Sequence, residues 1–140
     1  MRQFEARGTS PVTERHPWYG LLALAYLGAV YWLSSVPEFG ISRDDPVVQA
    51  ASNLLHIPLF AGLTLCFARA ISVGEGRHEL PWRQSGLTFV GIGAYAALDE
   101  WHQSFVPGRH ASLSDFFLDL GGILGVVLAL RLEALRRMGS

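Results

Sequence analysis

Residues 99–125, DEWHQSFVPGRHASLSDFFLDLGGILG, hold the side chains best equipped for chemistry: Asp99, Glu100, Asp115 and Asp119, with Gln103, Arg109, His102 and His110 between them. A third histidine, His56, lies upstream in an otherwise apolar run. Carboxylates beside an imidazole can pass protons to and from a substrate. They also attract cations, amines and hydroxyl-rich ligands, whereas a bare phosphate is repelled unless Arg109, a protonated carboxyl or a divalent ion offsets the charge. His56, Asp99, Glu100 and Asp115 could hold a divalent metal, but no spacing among them is diagnostic, so no metal or other cofactor is assigned. Ser112 or Ser114 can cap a following helix, with Asp115 in its first turn where the helix dipole favours an anion. His102 and His110 fall in or beside a loop and are expected to be solvated.

The elements that must position these groups are apolar. Half of the 140 residues are hydrophobic and only 16% are charged, with the apolar residues concentrated in four blocks. One cysteine, Cys66, excludes an internal disulfide and is expected to be a packing residue. The formal net charge of −1 argues against nucleic acid as a partner. Residues 1–16 are polar and read as a mobile cytoplasmic tail. Pro17 then opens a charge-free run of 19 residues to Ser35, enough at ~1.5 Å per residue to cross a ~30 Å hydrocarbon core. A cleaved signal peptide fits less well, because the run is long and no A-x-A-like site follows it.

A second span is expected over residues 53–71, interrupted only by His56 and Pro58, with a local kink at the proline. The third and fourth blocks are too short on their own. Residues 84–98 give 15 charge-free positions and residues 120–130 give 11. To cross, these helices must run on through Asp99, Glu100 and Gln103 in one case and Asp115 and Asp119 in the other. The expected domain therefore covers residues 17–133, with spans at about 17–35, 53–71, 83–103 and 114–132. The fold class is all-α, a four-helix transmembrane bundle.

Arginines orient it. The N-terminal tail, the middle connection and the C-terminal end carry nine of the eleven, and the other two connections carry only Arg43 and Arg109. That bias places both termini in the cytoplasm and makes this a multi-pass protein of the cell membrane. Trp18 and Trp82 then start spans at the inner face, and Trp32 and Trp101 end them at the outer face. Ser34, Ser35, Asn53, His56, Asp99, Glu100, Gln103, Asp115 and Asp119 all fall in the outer leaflet. Asp115, Asp119 and Gly122 share one helical stripe, as do Asn53, His56 and Phe60, while Glu100 shares a face with Gly93 and Ala97. Small residues on spans three and four, including the pair Gly121 and Gly125, point to a tight hairpin of those two helices.

At these positions the sequence resembles the VanZ-like family of small membrane proteins, named for an accessory factor linked with teicoplanin resistance. The resemblance rests on Ser34-Ser35-Val36-Pro37, His56, Asp99-Glu100-Trp101-His102-Gln103, Pro107-Gly108-Arg109, and Ser112, Asp115 and Gly122 at matching spacing. Two departures stand out: Asp119 occupies a position where the pattern prefers Asn, and Leu54-Leu55 replace a Lys often found before the histidine. The resemblance implies the fold and the membrane location, and brings in glycopeptides of the teicoplanin type as ligands.

Three uses of the polar cluster follow. It could stitch helix ends together, with Arg109 paired to Glu100 or Asp115 and His56 to a carboxylate. On the outer side, however, two arginines face seven carboxylates, counting Glu38, Asp44 and Asp45 in the loop. The reading adopted is a binding cleft for a polar envelope ligand: a lipid headgroup, a cell-wall precursor or a glycopeptide. His56, Asp99, Glu100, Gln103, Arg109, Ser112, Asp115 and Asp119 are its expected lining. The alternative is an intramembrane acid–base or metal-assisted enzyme acting on a lipid-linked substrate.

Overall fold

A computed structural model describes residues 18–37, 46–72, 81–109 and 111–138. These form four helices, α1 (Trp18–Ser35), α2 (Pro46–Ile71), α3 (Trp82–Gln103) and α4 (Leu113–Met138), with no strand among the described residues. The expected tail, the loop with Glu38, Arg43, Asp44 and Asp45, the linker arginine Arg77 and His110 lie outside the described residues.

The helices follow the expected blocks, with two extensions. α2 starts at Pro46, ahead of Asn53, and runs unbroken through Pro58, while α4 continues past residue 132 to Met138. Gln49 and Ser52, and Arg136 and Arg137 at the far end, break the apolar pattern without breaking the helix, because backbone hydrogen bonding needs no apolar side chain.

Burial is inverted relative to a water-soluble bundle. Asp119 and Thr64 are fully enclosed and Asp99, Glu100, Gln103 and Asp115 are buried, while Leu21, Leu24, Leu87, Val90, Leu113 and Phe117 are among the many large apolar side chains left exposed. Two segments, Asn53–Ile71 and Leu113–Arg136, are long and apolar enough to cross a membrane, and only 22% and 33% of them is buried. Core helices of a soluble protein pass the same length test but hide their apolar residues, so the low burial marks surfaces suited to lipid.

Val30, Phe60, Leu63, Ile92, Ala96 and Ile123 form the central core, one or more from each helix. The expected hairpin of the third and fourth spans is corrected in one respect: α4 packs most extensively against α2, and less against α3. The small residue responsible is Gly122, not Gly121 or Gly125. A Cβ at Gly122 would collide with the Ile57 carbonyl oxygen and lie 3.3 Å from the Ala61 amide nitrogen, whereas Gly121 and Gly125 have open space there. Gly122 thus lets two backbones touch, as small residues do where helices pack without a hydrophobic drive between them. On α3 Ala96 is buried, with Ser85 and Thr88 further toward its start, and Ala97 is exposed.

Candidate functional site

Hydrogen bonds bring the C-terminal ends of α1 and α3, the His56 region of α2 and the N-terminal turns of α4 to one end of the bundle. His56 Nδ1 and Asp119 Oδ1 lie 2.9 Å apart and share a hydrogen bond. That pairing follows from the expected stripes, since Asp115, Asp119 and Gly122 are all buried on one face of α4. Gln103 Nε2 donates to Asp99 Oδ2 at 2.9 Å and to Ser34 Oγ at 3.4 Å, joining α3 to α1.

Glu100 turns the other way, toward α4. The Ser112 amide donates to its Oε2 at 2.7 Å, and the Ser114 amide in turn donates to Ser112 Oγ at 3.2 Å. Ser112 therefore caps α4 with its side chain and presents its own backbone N–H to the carboxylate, which satisfies two of the donors a helix start leaves open. Glu100, Ser112, Ala97, Ala111, Leu113 and Phe116 line a cleft of about 440 Å³. Its walls are mostly apolar, with the Glu100 carboxylate and Ser112 as the polar features.

Arg109 reaches α1. Its guanidinium donates to the carbonyl oxygens of Leu33, from Nη2 at 2.7 Å, and Val36, from Nε at 3.3 Å. The turn that delivers it contains Gly108 at φ 80°, in the left-handed region that glycine enters without strain. The last carbonyls of a helix have no intrahelical donor, and a cation there also complements the dipole. Arg109 therefore straps the α3–α4 connection to α1.

His102 corrects the expectation of a solvated side chain. Its Nε2 lies 2.9 Å from Ser35 Oγ, and its ring stacks on Tyr31 with centroids 4.9 Å apart. The spacing of Ser34-Ser35 against His102-Gln103 was the available signal, because two adjacent polar pairs at the same end of neighbouring helices can bond in register.

One subset converges further. A ligating atom each from His56, Glu100 and Asp119 lies within 4.8 Å of the others. Within this subset Glu100 Oε1 and Asp119 Oδ2 are buried without a hydrogen-bond partner. Buried polar atoms are nearly always partnered, so these two acceptors are available to a ligand, a water or an ion.

The family model described as VanZ/LLP1 matches residues 8–133, nearly the whole chain. No curated protein and no solved structure gives a significant match.

Proposed function

The chain belongs to the VanZ-like family, and from that premise we propose that it is a multi-pass protein of the cell membrane that binds a polar headgroup at its extracytoplasmic face. All four helices cross in this reading, both termini are cytoplasmic, and residues 17–133 are the functional domain. The arginine bias supports the orientation. So do the tryptophans, since Trp18, Trp82, Trp32 and Trp101 are all exposed, one near each end of α1 and one near each end of α3.

The observation that carries the binding reading is the cleft beside Glu100. Apolar walls from Ala97, Leu113 and Phe116 suit a lipid chain, and a buried carboxylate with an unpartnered oxygen suits hydroxyl or amine groups attached to it. The ligand class is therefore a lipid or lipid-linked envelope precursor with donor groups in its head. A glycopeptide of the teicoplanin type enters through the family resemblance alone, and a link to glycopeptide resistance would follow from it. Of the expected lining, Glu100 and Ser112 face the cleft and His56 and Asp119 converge on Glu100, while Asp99, Gln103 and Arg109 bond toward α1.

The test is a photocrosslinker, p-benzoylphenylalanine, placed at Phe116 in the full chain expressed in its membrane. Mass spectrometry should find a lipid-linked adduct, and Ala97→Trp, which fills the cleft, should abolish it while leaving the melting temperature unchanged. Adducts only to bulk phospholipid, unaffected by A97W, would overturn the reading.

A second reading, an acid–base enzyme on a lipid-linked substrate, is favoured by the bond between His56 and Asp119. A carboxylate on one ring nitrogen orients the imidazole and leaves Nε2 for proton transfer. Turnover lost in His56→Gln with binding retained would establish it.

A further inference from the structure

Two carboxylates and an imidazole enclosed at one point of an apolar bundle pose a charge problem. Asp119 is 0% exposed and Glu100 8%, and their ligating atoms fall within the 4.8 Å convergence with His56. His56 offers at most one positive charge, and it is already bonded to Asp119 Oδ1. Each carboxylate also keeps one oxygen with no hydrogen-bond partner. Buried anions are stable only when paired or coordinated.

We propose that His56, Glu100 and Asp119 form a binding site for a divalent metal ion. The donor set is one nitrogen and two carboxylate oxygens. Imidazole suits first-row transition ions and carboxylate suits harder ones, so the combination selects Mn²⁺, Fe²⁺ or Zn²⁺ over Ca²⁺. The existing geometry is close to a coordination shell. Neighbouring ligands of an octahedral ion at ~2.1 Å are about 3 Å apart, and opposite ones about 4.2 Å. His56 Nδ1 and Asp119 Oδ1 already stand 2.9 Å apart. The ion binds the Nδ1 lone pair in place of the hydrogen bond: a proton leaves as H⁺ from an imidazolium–carboxylate pair, or moves from Nδ1 to Nε2 in a neutral ring, and Glu100, within 4.8 Å, closes toward the shell.

Each ligand is held by a different helix, and two of the three have a supporting contact. Glu100 is fixed by the Ser112 amide at 2.7 Å, and Asp119 lies one helical turn before Gly122, where α4 touches α2 near Ile57, the residue after His56. Three protein ligands leave coordination positions open, and Glu100 also lines the cleft. The ion would therefore sit beside the bound headgroup, although the site does not depend on the cleft being a headgroup site.

The experiment uses the full-length, untagged chain in lipid nanodiscs, stripped with EDTA and titrated with MnCl₂, with free Mn²⁺ read by electron paramagnetic resonance. One ion per chain is expected. His56→Asn, Glu100→Gln and Asp119→Asn should each weaken binding at least about tenfold, while His102→Gln leaves it unchanged. Because a variant could misfold, the wild-type protein supplies a second readout: electron–nuclear double resonance of bound Mn²⁺ should show ¹⁴N coupling from one imidazole. Binding that is substoichiometric, or equal in the folded variants, or without ¹⁴N coupling, would overturn the proposal. Failure of the Phe116 crosslink leaves this titration unaffected, and the converse also holds.

Discussion

Asp119 meets His56 in a fully enclosed position, so what replaces it decides whether the imidazole keeps a partner. Asp119→Leu strands a polar nitrogen among helices and should cost ~1–3 kcal/mol, read as a lower melting temperature in detergent. Asp119→Asn keeps a side chain able to bond the ring and should melt within ~1 kcal/mol of wild type. Arg109 gives a second residue-scale prediction. Arg109→Lys cannot reach Leu33 and Val36 carbonyls together, and should lose ~1–2 kcal/mol, with faster amide exchange in the α3–α4 turn. The sequence announced that Arg109 mattered but not to what it binds. Its acceptors are backbone carbonyls, which every residue carries, so no side-chain pattern marks them. The placement of His102 was missed for another reason: Ser35 is marked as polar at the same end of the bundle, but the position of His102 beside loop residues gave no sign that its ring would turn in to bond Ser35 and stack on Tyr31.

At the scale of elements, the contact between α2 and α4 hinges on one missing side chain. Gly122→Ala pushes a Cβ into the Ile57 carbonyl and against the Ala61 amide, both backbone, so the helices must part. A loss of ~1–3 kcal/mol is expected from overpacking of this kind, and the separation should also pull His56 away from Asp119. Gly121→Ala, one position along with open space around it, should be neutral or slightly stabilising. Thermal melts of the two variants side by side check both. Helix lengths were legible because a minimum crossing distance was demanded of each block, and α3 does run on to Gln103 as that demand required. The neighbour of α4 was not legible. Gly93, Gly121, Gly122 and Gly125 offer several small-residue faces, and helical phase alone does not say which one meets which helix.

Across the whole molecule, polar groups from all four helices gather at one end, and the exposed apolar belt separates that end from the arginines of α4. Reporter fusions test the proposed orientation: fluorescent protein attached at Ser140 should glow, alkaline phosphatase at the same place should be inactive, and the phosphatase should be active when inserted near Gly40. The reverse pattern would place the polar cluster at the cytoplasmic face. The apolar lining of the cleft, Ala97, Ala111, Leu113 and Phe116, also fixes the units in which its affinity has meaning. An occupant suited to such walls dissolves in the bilayer before it is bound, so occupancy follows its mole fraction among the lipids. A dissociation constant quoted per litre of water would drift with the amount of membrane in the sample, while one quoted per lipid would stay fixed.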